Sequence, residues 1–429
     1  MSSLNWGLLG PEKLESSRRT RALGLGASVR NFNELAVPGM GSVWFIRQLI
    51  LPLMGIRLAS LARENGQKVT NLEVANSLEA LGCLLAIKLD SESADERVRG
   101  RNKFQNISVD ELNQLTFSKV RKKNFYVTQP MRMATTSVLP ALGLVCEGET
   151  RFNNFSLSDK GEKLVAKATK YYRPYNGCLF IYLSKWLSGK GNKKIDNPAV
   201  VRALSPILEN TQEVRALVTA YLLQGNNQEE VSRRRHALDW VESLRIKTVD
   251  IQWNSKPSQI TQEHWHDLKS GAVFFETRNL AITILDNIES CMSASTTSLK
   301  LDETLYEDIT NAIQKAATSA GIFLKLKHTD EDANKFCNEL INRDPVEVVK
   351  LLVARDGNVL KLRGNAVVPG GAFTGQSITI SPEPSAEEGV KQFWPEGISD
   401  RVKNLFLFNA DLKDELSSHL ASSDKEGTQ

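Results

Sequence analysis

The chain has 429 residues, of which 41% are hydrophobic and 24% charged, and its formal net charge is +4. These values exclude a globally disordered chain, and the length exceeds what one hydrophobic core organises, so roughly two to four domains are expected. The five cysteines (Cys83, Cys146, Cys178, Cys291 and Cys337) lie too far apart for a zinc pair or a CxxC motif, and their odd number fits a reducing cytoplasm.

The chain opens on MSSLNWGLLGPEKLESSRR, whose apolar run is too short for a secretory signal and whose charges follow rather than precede it. PEKLESSRRTRALG reads as a first helix ending near Gly24. The most apolar run, SVWFIRQLILPLMGI at 42–56, has 15 residues and carries Arg47 and Pro52. A bilayer span needs about 20, so this run is expected to be a buried helix over 42–64, kinked at Pro52, and no membrane partner is expected. VTNLEVANSLEALGCLLAIK reads as a third helix, with Thr70 and Glu73 as a capping box and Val74, Leu78, Leu81 and Leu85 at helical spacing. Residues 1–95 thus read as a helical N-terminal domain, followed by a polar linker at 91–103.

Charge is unevenly spread beyond this point. From Arg97 to Lys194 there are 19 Lys and Arg against 6 Asp and Glu, a local charge of +13 that leaves −9 for the remainder. Local potential, not net charge, recruits polyanions. Ser108 and Glu111 form a second capping box, opening a helix expected to run to about Lys123 and to end in RKK. After the extended NFYVTQ, Thr128 can cap a helix over PMRMATTSVLPALGLV, with Pro130 in its first turn and Pro140 bending it. CEGETRFNNFSLSD reads as two strands joined by a charged turn, and KGEKLVAKATKYY closes the unit as a helix.

This order of helix, connector, helix, hairpin and helix, carried by ALGLV, the hairpin and FSLSDKGEKLV at about 105–172, resembles the winged helix-turn-helix family. The resemblance implies double-stranded DNA as partner. The helix from Pro130 would enter the major groove, with Arg132, Thr135 and Thr136 near the bases. Arg151 and Asn153 would lie on the wing, and Lys119, Arg121, Lys122, Lys123 and Lys160 would meet phosphates. Winged helices that bind protein show the same pattern, so a docking role stays open. KYYRPYNGCLFIYLSKWLSGKGNKK, at 170–194, extends the basic region with six aromatics. Such interleaving suits stacking on single-stranded bases, although Phe180, Tyr182, Trp186 and Leu187 also have core spacing.

Residues 176–320 read as helical, including PAVVRALSPILEN, EVRALVTAYLLQ and QEEVSRRRHALDWVESLRI, with a loop at SASTTS (293–298). EHWHD places Glu263, His264, His266 and Asp267 together. On a helix the two histidines point apart, so the segment is expected to be an exposed polar helix start. From 321 the pattern turns α+β. IFLKLKH alternates like a strand, Asp356-Gly357 suits a hairpin, and VVPGGAFTGQSITISPEP suits strand or loop. The end, ASSDKEGTQ, is expected to fray. RDPVEVVK offers Asp344, Glu347 and Lys350, followed by Asp356 and Lys361, to a metal-dependent nuclease, but Asp344 before Pro345 is more simply a helix cap.

The sequence thus implies a mainly α, multidomain cytoplasmic protein. Its expected parts are 1–95 helical, 96–175 basic winged helix, 176–320 helical and 321–429 α+β. No cofactor, metal site or catalytic residue is expected, and the resemblance extends over about 105–172 only. The expected role is a non-catalytic recognition or scaffold subunit of a bacterial DNA-handling complex, such as antiviral defence or a mobile element, with protein partners. The defence or mobile-element setting is analogy rather than residue chemistry. A protein–protein adaptor and a nuclease are the alternatives.

Overall fold

The structure is a computed structural model that describes residues 21, 23–89, 95–112, 114–189, 195–246, 251–295, 298–301, 305–341, 343–375 and 394–426. The first expected helix up to residue 20, the core of the expected linker at 90–94, and QSITISPEP lie outside them. In chain order the helices are α1 (Gly26–Ala36), α2 (Arg47–Glu64), α3 (Asn71–Leu89), α4 (Arg101–Phe104), α5 (Val109–Leu112), α6 (Phe117–Val120), α7 (Arg132–Thr135) and α8 (Val138–Ala141). They continue as α9 (Asp159–Thr169), α10 (Leu179–Leu187), α11 (Pro198–Leu204), α12 (Gln212–Leu222), α13 (Gln228–Ile246) and α14 (Gln262–Ser295). The last are α15 (Glu307–Leu326), α16 (Glu331–Leu340), α17 (Pro345–Asp356), α18 (Asp400–Leu412) and α19 (Leu416–Glu426). Three short strands, β1 (Leu299–Lys300), β2 (Leu360–Arg363) and β3 (Ala366–Pro369), form an antiparallel sheet in the order β1-β3-β2. The chain is mainly helical, and it divides into two compact units: Met1–Phe32 with His266–Ser381, and Asn33–Trp265 with Pro382–Gln429.

The larger unit is built on α2 and α3. Every residue from Arg47 to Ile56 is buried. A helix buried on all sides needs cover on all sides. α3 covers one side so closely that a Cβ on Gly55 would sit 2.5 Å from Ala75 Cα, and α7, α9 and α10 cover others. Pro52 lies inside the helix without ending it. The basic segment therefore packs directly on α2 and α3, and the expected 95/96 boundary falls inside one unit. Buried Arg47 donates from Nε to Ser205 O at 3.0 Å and from Nη2 to Ala203 O. Burial lowers its pKa to about 10. Elsewhere in this unit α18 packs on α12 and α13, beside a tryptophan cluster in which Trp240 lies 5.9 Å from both Trp265 and Trp394.

The smaller unit has an aromatic core of Phe32, Phe274, Phe323 and Phe336, with Phe32 and Phe274 centroids 5.1 Å apart. IFLKLKH is not a strand: most of it completes α15. Ile309, Ala312, Ile313, Ala316, Ala320 and Phe323 are buried at helical spacing, so the apolar stripe of the whole segment overrides the short alternation. Asp356-Gly357 is not a hairpin either. Gly357, at φ 59°, ends α17 with its N–H on Val353 O, and the hairpin turn falls at Gly364-Asn365 between β2 and β3. α14 continues to Ser295 through the start of the expected loop at 293–298, and the expected frayed end is helical to Glu426.

Candidate nucleic-acid interface

The capping box at the start of α3 forms as expected. Thr70 N–H donates to Glu73 Oε2 at 2.9 Å, and Glu73 N–H donates to Thr70 Oγ1 at 3.2 Å. Around this turn the basic segment is pinned by three contacts. Arg121 pairs with Glu73. Leu72 N–H donates to Asn153 Oδ1 at 3.0 Å. One turn further along α3, Arg132 Nε donates to Asn76 Oδ1 at 2.7 Å. Burial pulls the Glu73 carboxyl upward, but the hydrogen bonds from Arg121 and Thr70 outweigh it and hold the group below its ordinary value.

The expected secondary structure of this segment is corrected in several places. The helix over 108–123 is two single turns, α5 and α6. Thr116 between them is extended, and Glu111 N–H meets Ser108 Oγ at 3.3 Å. Thr128 does not cap the next helix. The Glu79 carboxylate takes that place, accepting Met131 N–H at 2.8 Å on each oxygen. The helix over 130–143 is split into α7 and α8 at Thr136-Ser137, and Thr136 Oγ1 bonds back to Arg132 O at 3.3 Å. The two-stranded wing reduces to one antiparallel bridge, Val145 with Leu157, closed by Cys146 N–H to Ser156 O at 2.9 Å and Ser158 N–H to Leu144 O at 3.2 Å. Its tip is a 3-10 turn, Phe152–Asn154. The Asn71 amide occupies the carbonyls of Phe152 and Phe155, at 3.0 and 2.7 Å, so these acceptors serve α3 instead of a ladder.

The structure separates the expected contact residues into two sets. Arg121, Arg132, Thr135, Thr136, Asn153 and Lys160 are engaged by the protein. Thr135 is fully buried, with its hydroxyl on Arg132 O at 2.8 Å, and so is not on the surface. The Arg132 guanidinium also lies 5.7 Å from the Phe152 ring centroid. The Lys160 ammonium lies 5.5 Å from the Tyr221 ring centroid, and the Lys160 carbonyl accepts from Tyr221 Oη. The second set, Lys119, Lys122, Lys123 and Arg151, is exposed, and none of the four forms an ion pair among the described residues. Lys119, Lys122 and Lys123 flank Arg121, and Arg151 lies two residues from Asn153, so both groups are fixed at the first turn of α3. This convergence is not visible in the sequence, because the residues that create it lie 48 and 81 positions from Glu73 and Leu72. The nearest signal is Thr70–Glu73, a cap whose carboxylate has capacity for a second partner.

Beneath the surface lies a buried polar triad. Tyr126 Oη donates to Glu79 Oε1 at 2.8 Å, and Cys83 Sγ lies 3.3 Å from Tyr126 Oη. Burial raises the Glu79 carboxyl above its ordinary value, opposed by the Arg99 charge and the Met131 and Tyr126 hydrogen bonds. Burial, with Glu79 nearby, pushes the Cys83 thiol up to about 12, which removes it as a nucleophile.

The other candidate sites are accounted for by structure. His264 is buried with Nε2 2.8 Å from Ala36 O, and so is not part of an exposed helix start. In the other unit His266 Nε2 lies 2.8 Å from Leu326 O. Asp344 caps α17 through Val346 N–H at 2.9 Å, and Glu347 pairs with Lys350. Asp356 lies at the far end of this 12-residue helix, about 18 Å away at 1.5 Å per residue, too far to share a metal with Asp344. Among the described residues no group of three or more His, Cys, Asp or Glu is arranged to hold a metal ion, and no helix is long and apolar enough to cross a membrane. No family model, curated protein or solved structure matches this chain.

Proposed function

We propose that the cationic face at the start of α3 binds the phosphate backbone of double-stranded DNA, and that the protein is a non-catalytic recognition or scaffold subunit of a larger DNA-handling assembly. The observation that carries this reading is the set of unpaired cations, Lys119, Lys122, Lys123 and Arg151, held on two segments that converge on one helical turn. The carboxylate at that turn, Glu73, is already taken by Arg121, so it does not neutralise the four. Phosphate contacts position a protein without reading sequence. Because Arg132 and Thr135 are used internally, binding with little sequence preference is the expected mode.

Affinity for a random duplex, measured from about 50 to 200 mM salt, tests the reading. Binding should weaken linearly in log–log form, with each phosphate contact adding about 0.9 to the slope. The variant Lys122→Ala, Lys123→Ala, Arg151→Ala should flatten it by two to three contacts' worth while leaving the melting temperature unchanged. Absence of duplex binding at low salt would overturn the proposal and leave the face as a docking surface for a protein partner.

A further inference from the structure

The connector after α9 carries a second surface. Between Lys163 and Gly189 the chain has five cations, Lys163, Lys167, Lys170, Arg173 and Lys185, and no Asp or Glu. Of the aromatics there, Phe180 and Trp186 are core, at 5% and 8% exposure, but Tyr171 and Tyr175 are 63% and 64% exposed. Tyr175 adopts a left-handed backbone conformation at φ 48° and ψ 41°, and Asn176 follows at φ 61°. Asn tolerates this region, but for Tyr175 it costs on the order of 1 kcal/mol. The Tyr175 ring lies 6.0 Å from Tyr182, centroid to centroid. Tyr182 shares the outer face of α10 with Ile181, 60% exposed, and Lys185. Arg173 and Lys185 form no ion pair among the described residues, while Glu213 is taken by Lys167 at 2.7 Å. Lys170 Nζ sits 5.0 Å from the Tyr171 ring centroid.

We propose that Tyr175, backed by Tyr182 and accompanied by Tyr171, stacks unpaired bases of single-stranded DNA, with Lys170, Arg173 and Lys185 along its phosphates. Exposed aromatic faces interleaved with unpaired cations are the means by which single strands are held without sequence preference. A purely apolar partner surface would leave Arg173 and Lys185 without counter-charge. The inference rests on the DNA reading above but uses different residues, so the protein would hold duplex at α3 and an unpaired strand at 171–185.

The test uses the full chain and a labelled oligo-dT of about 12 nucleotides carrying one 5-iododeoxyuridine, beside a blunt duplex. Wild type should bind the single strand and cross-link on irradiation at Tyr171 or Tyr175. Tyr171→Ala with Tyr175→Ala should lower single-strand affinity by at least tenfold, leave duplex affinity within twofold, and be rescued by tryptophan at both positions. Both side chains are exposed, so folding is expected to survive, and an unchanged melting temperature checks it. Single-strand binding that the double alanine variant retains would overturn the proposal, as would duplex binding without single-strand binding. Binding to neither would overturn this proposal and the duplex reading together.

Discussion

Arg132 Nε donates to Asn76 Oδ1 at 2.7 Å, tying the residue expected to read bases to the second turn of α3. Its guanidinium is further occupied by the Phe152 ring at 5.7 Å. Arg132→Ala is therefore expected to act on stability first. The loss of one hydrogen bond from a charged donor and one cation–π contact should cost about 2–4 kcal/mol, read as a lower denaturant midpoint. Duplex affinity should fall less than in Lys122→Ala with Lys123→Ala. A variant that loses duplex binding at unchanged stability would return Arg132 to the DNA surface.

Glu79 sets a pH dependence. Its folded-state pKa is raised, chiefly by burial, so the folded state favours the protonated carboxyl. The stabilisation is fully present below the ordinary glutamate range and is lost as pH rises through the folded value. Glu79→Gln keeps an acceptor for Met131 N–H or Tyr126 Oη and removes the ionisation. The melting temperature of the variant should fall less than that of wild type as pH is raised above the ordinary glutamate range. Glu79→Ala leaves Met131 N–H unpartnered in a buried site and Tyr126 Oη with only Cys83 Sγ, and should cost about 1–3 kcal/mol or more. Equal pH profiles for wild type and Glu79→Gln would show that folding does not shift the Glu79 pKa.

Local chemistry was legible in the sequence where one residue decides it. The Thr70–Glu73 box, the Asp344 cap and the buried run around Leu49 need only nearest neighbours or a window of apolar residues. What sequence could not show is competition for backbone groups by distant side chains. Asn71 takes the carbonyls of Phe152 and Phe155, and Glu79 takes the N–H of Met131, and these contacts dissolve the expected wing and move the start of the expected recognition helix. The strand expected at IFLKLKH failed for another reason: seven residues fit both periods, and only the longer stripe from Ile309 decides between them. Within the candidate interface the charge excess was visible at once. Which cations are spent internally depends on partners distant in sequence: Glu73 for Arg121, Asn76 for Arg132 and the Tyr221 ring for Lys160.

Close backbone approach makes Gly82 the most constrained point of α3. A Cβ there would lie 2.0 Å from Leu204 O and 2.9 Å from Leu204 C, both backbone atoms that cannot rotate away. Gly82→Ala must therefore displace the end of α11 from α3, and the gain in helix propensity of about 1 kcal/mol cannot offset it. The variant should be destabilised by about 1–3 kcal/mol net, measured by urea unfolding. Gly66→Ala makes a useful contrast, because its Cβ would meet nothing within 4 Å and its cost comes from φ 78° alone. Equal losses in the two variants would mean that α11 yields freely.

Acid stability should depend on Glu242. Arg245 donates to it from Nε and Nη2, both at 2.9 Å, Asn409 Nδ2 donates to Oε2 at 2.6 Å, and Lys413 Nζ lies 3.3 Å from Oε1. The Arg245 hydrogen bonds, opposed by burial and reinforced by Asn409 and Lys413, lower its pKa from 4.5 to about 2. A depressed folded value contributes stability above the unfolded pKa that is lost as pH falls through the folded one, so the window runs from about pH 4.5 down to about 2. Other carboxylates titrate there too, and the informative quantity is the difference in melting temperature between wild type and Glu242→Gln. That difference should favour wild type at neutral pH and shrink across the window, because Gln cannot charge at any pH. Arg245 keeps Glu415 as a partner at 2.6 Å in the variant, so no buried cation is orphaned to confuse the comparison. A difference that stays constant from pH 6 to 2 would show that Glu242 contributes through packing of α13 on α18 and not through its charge.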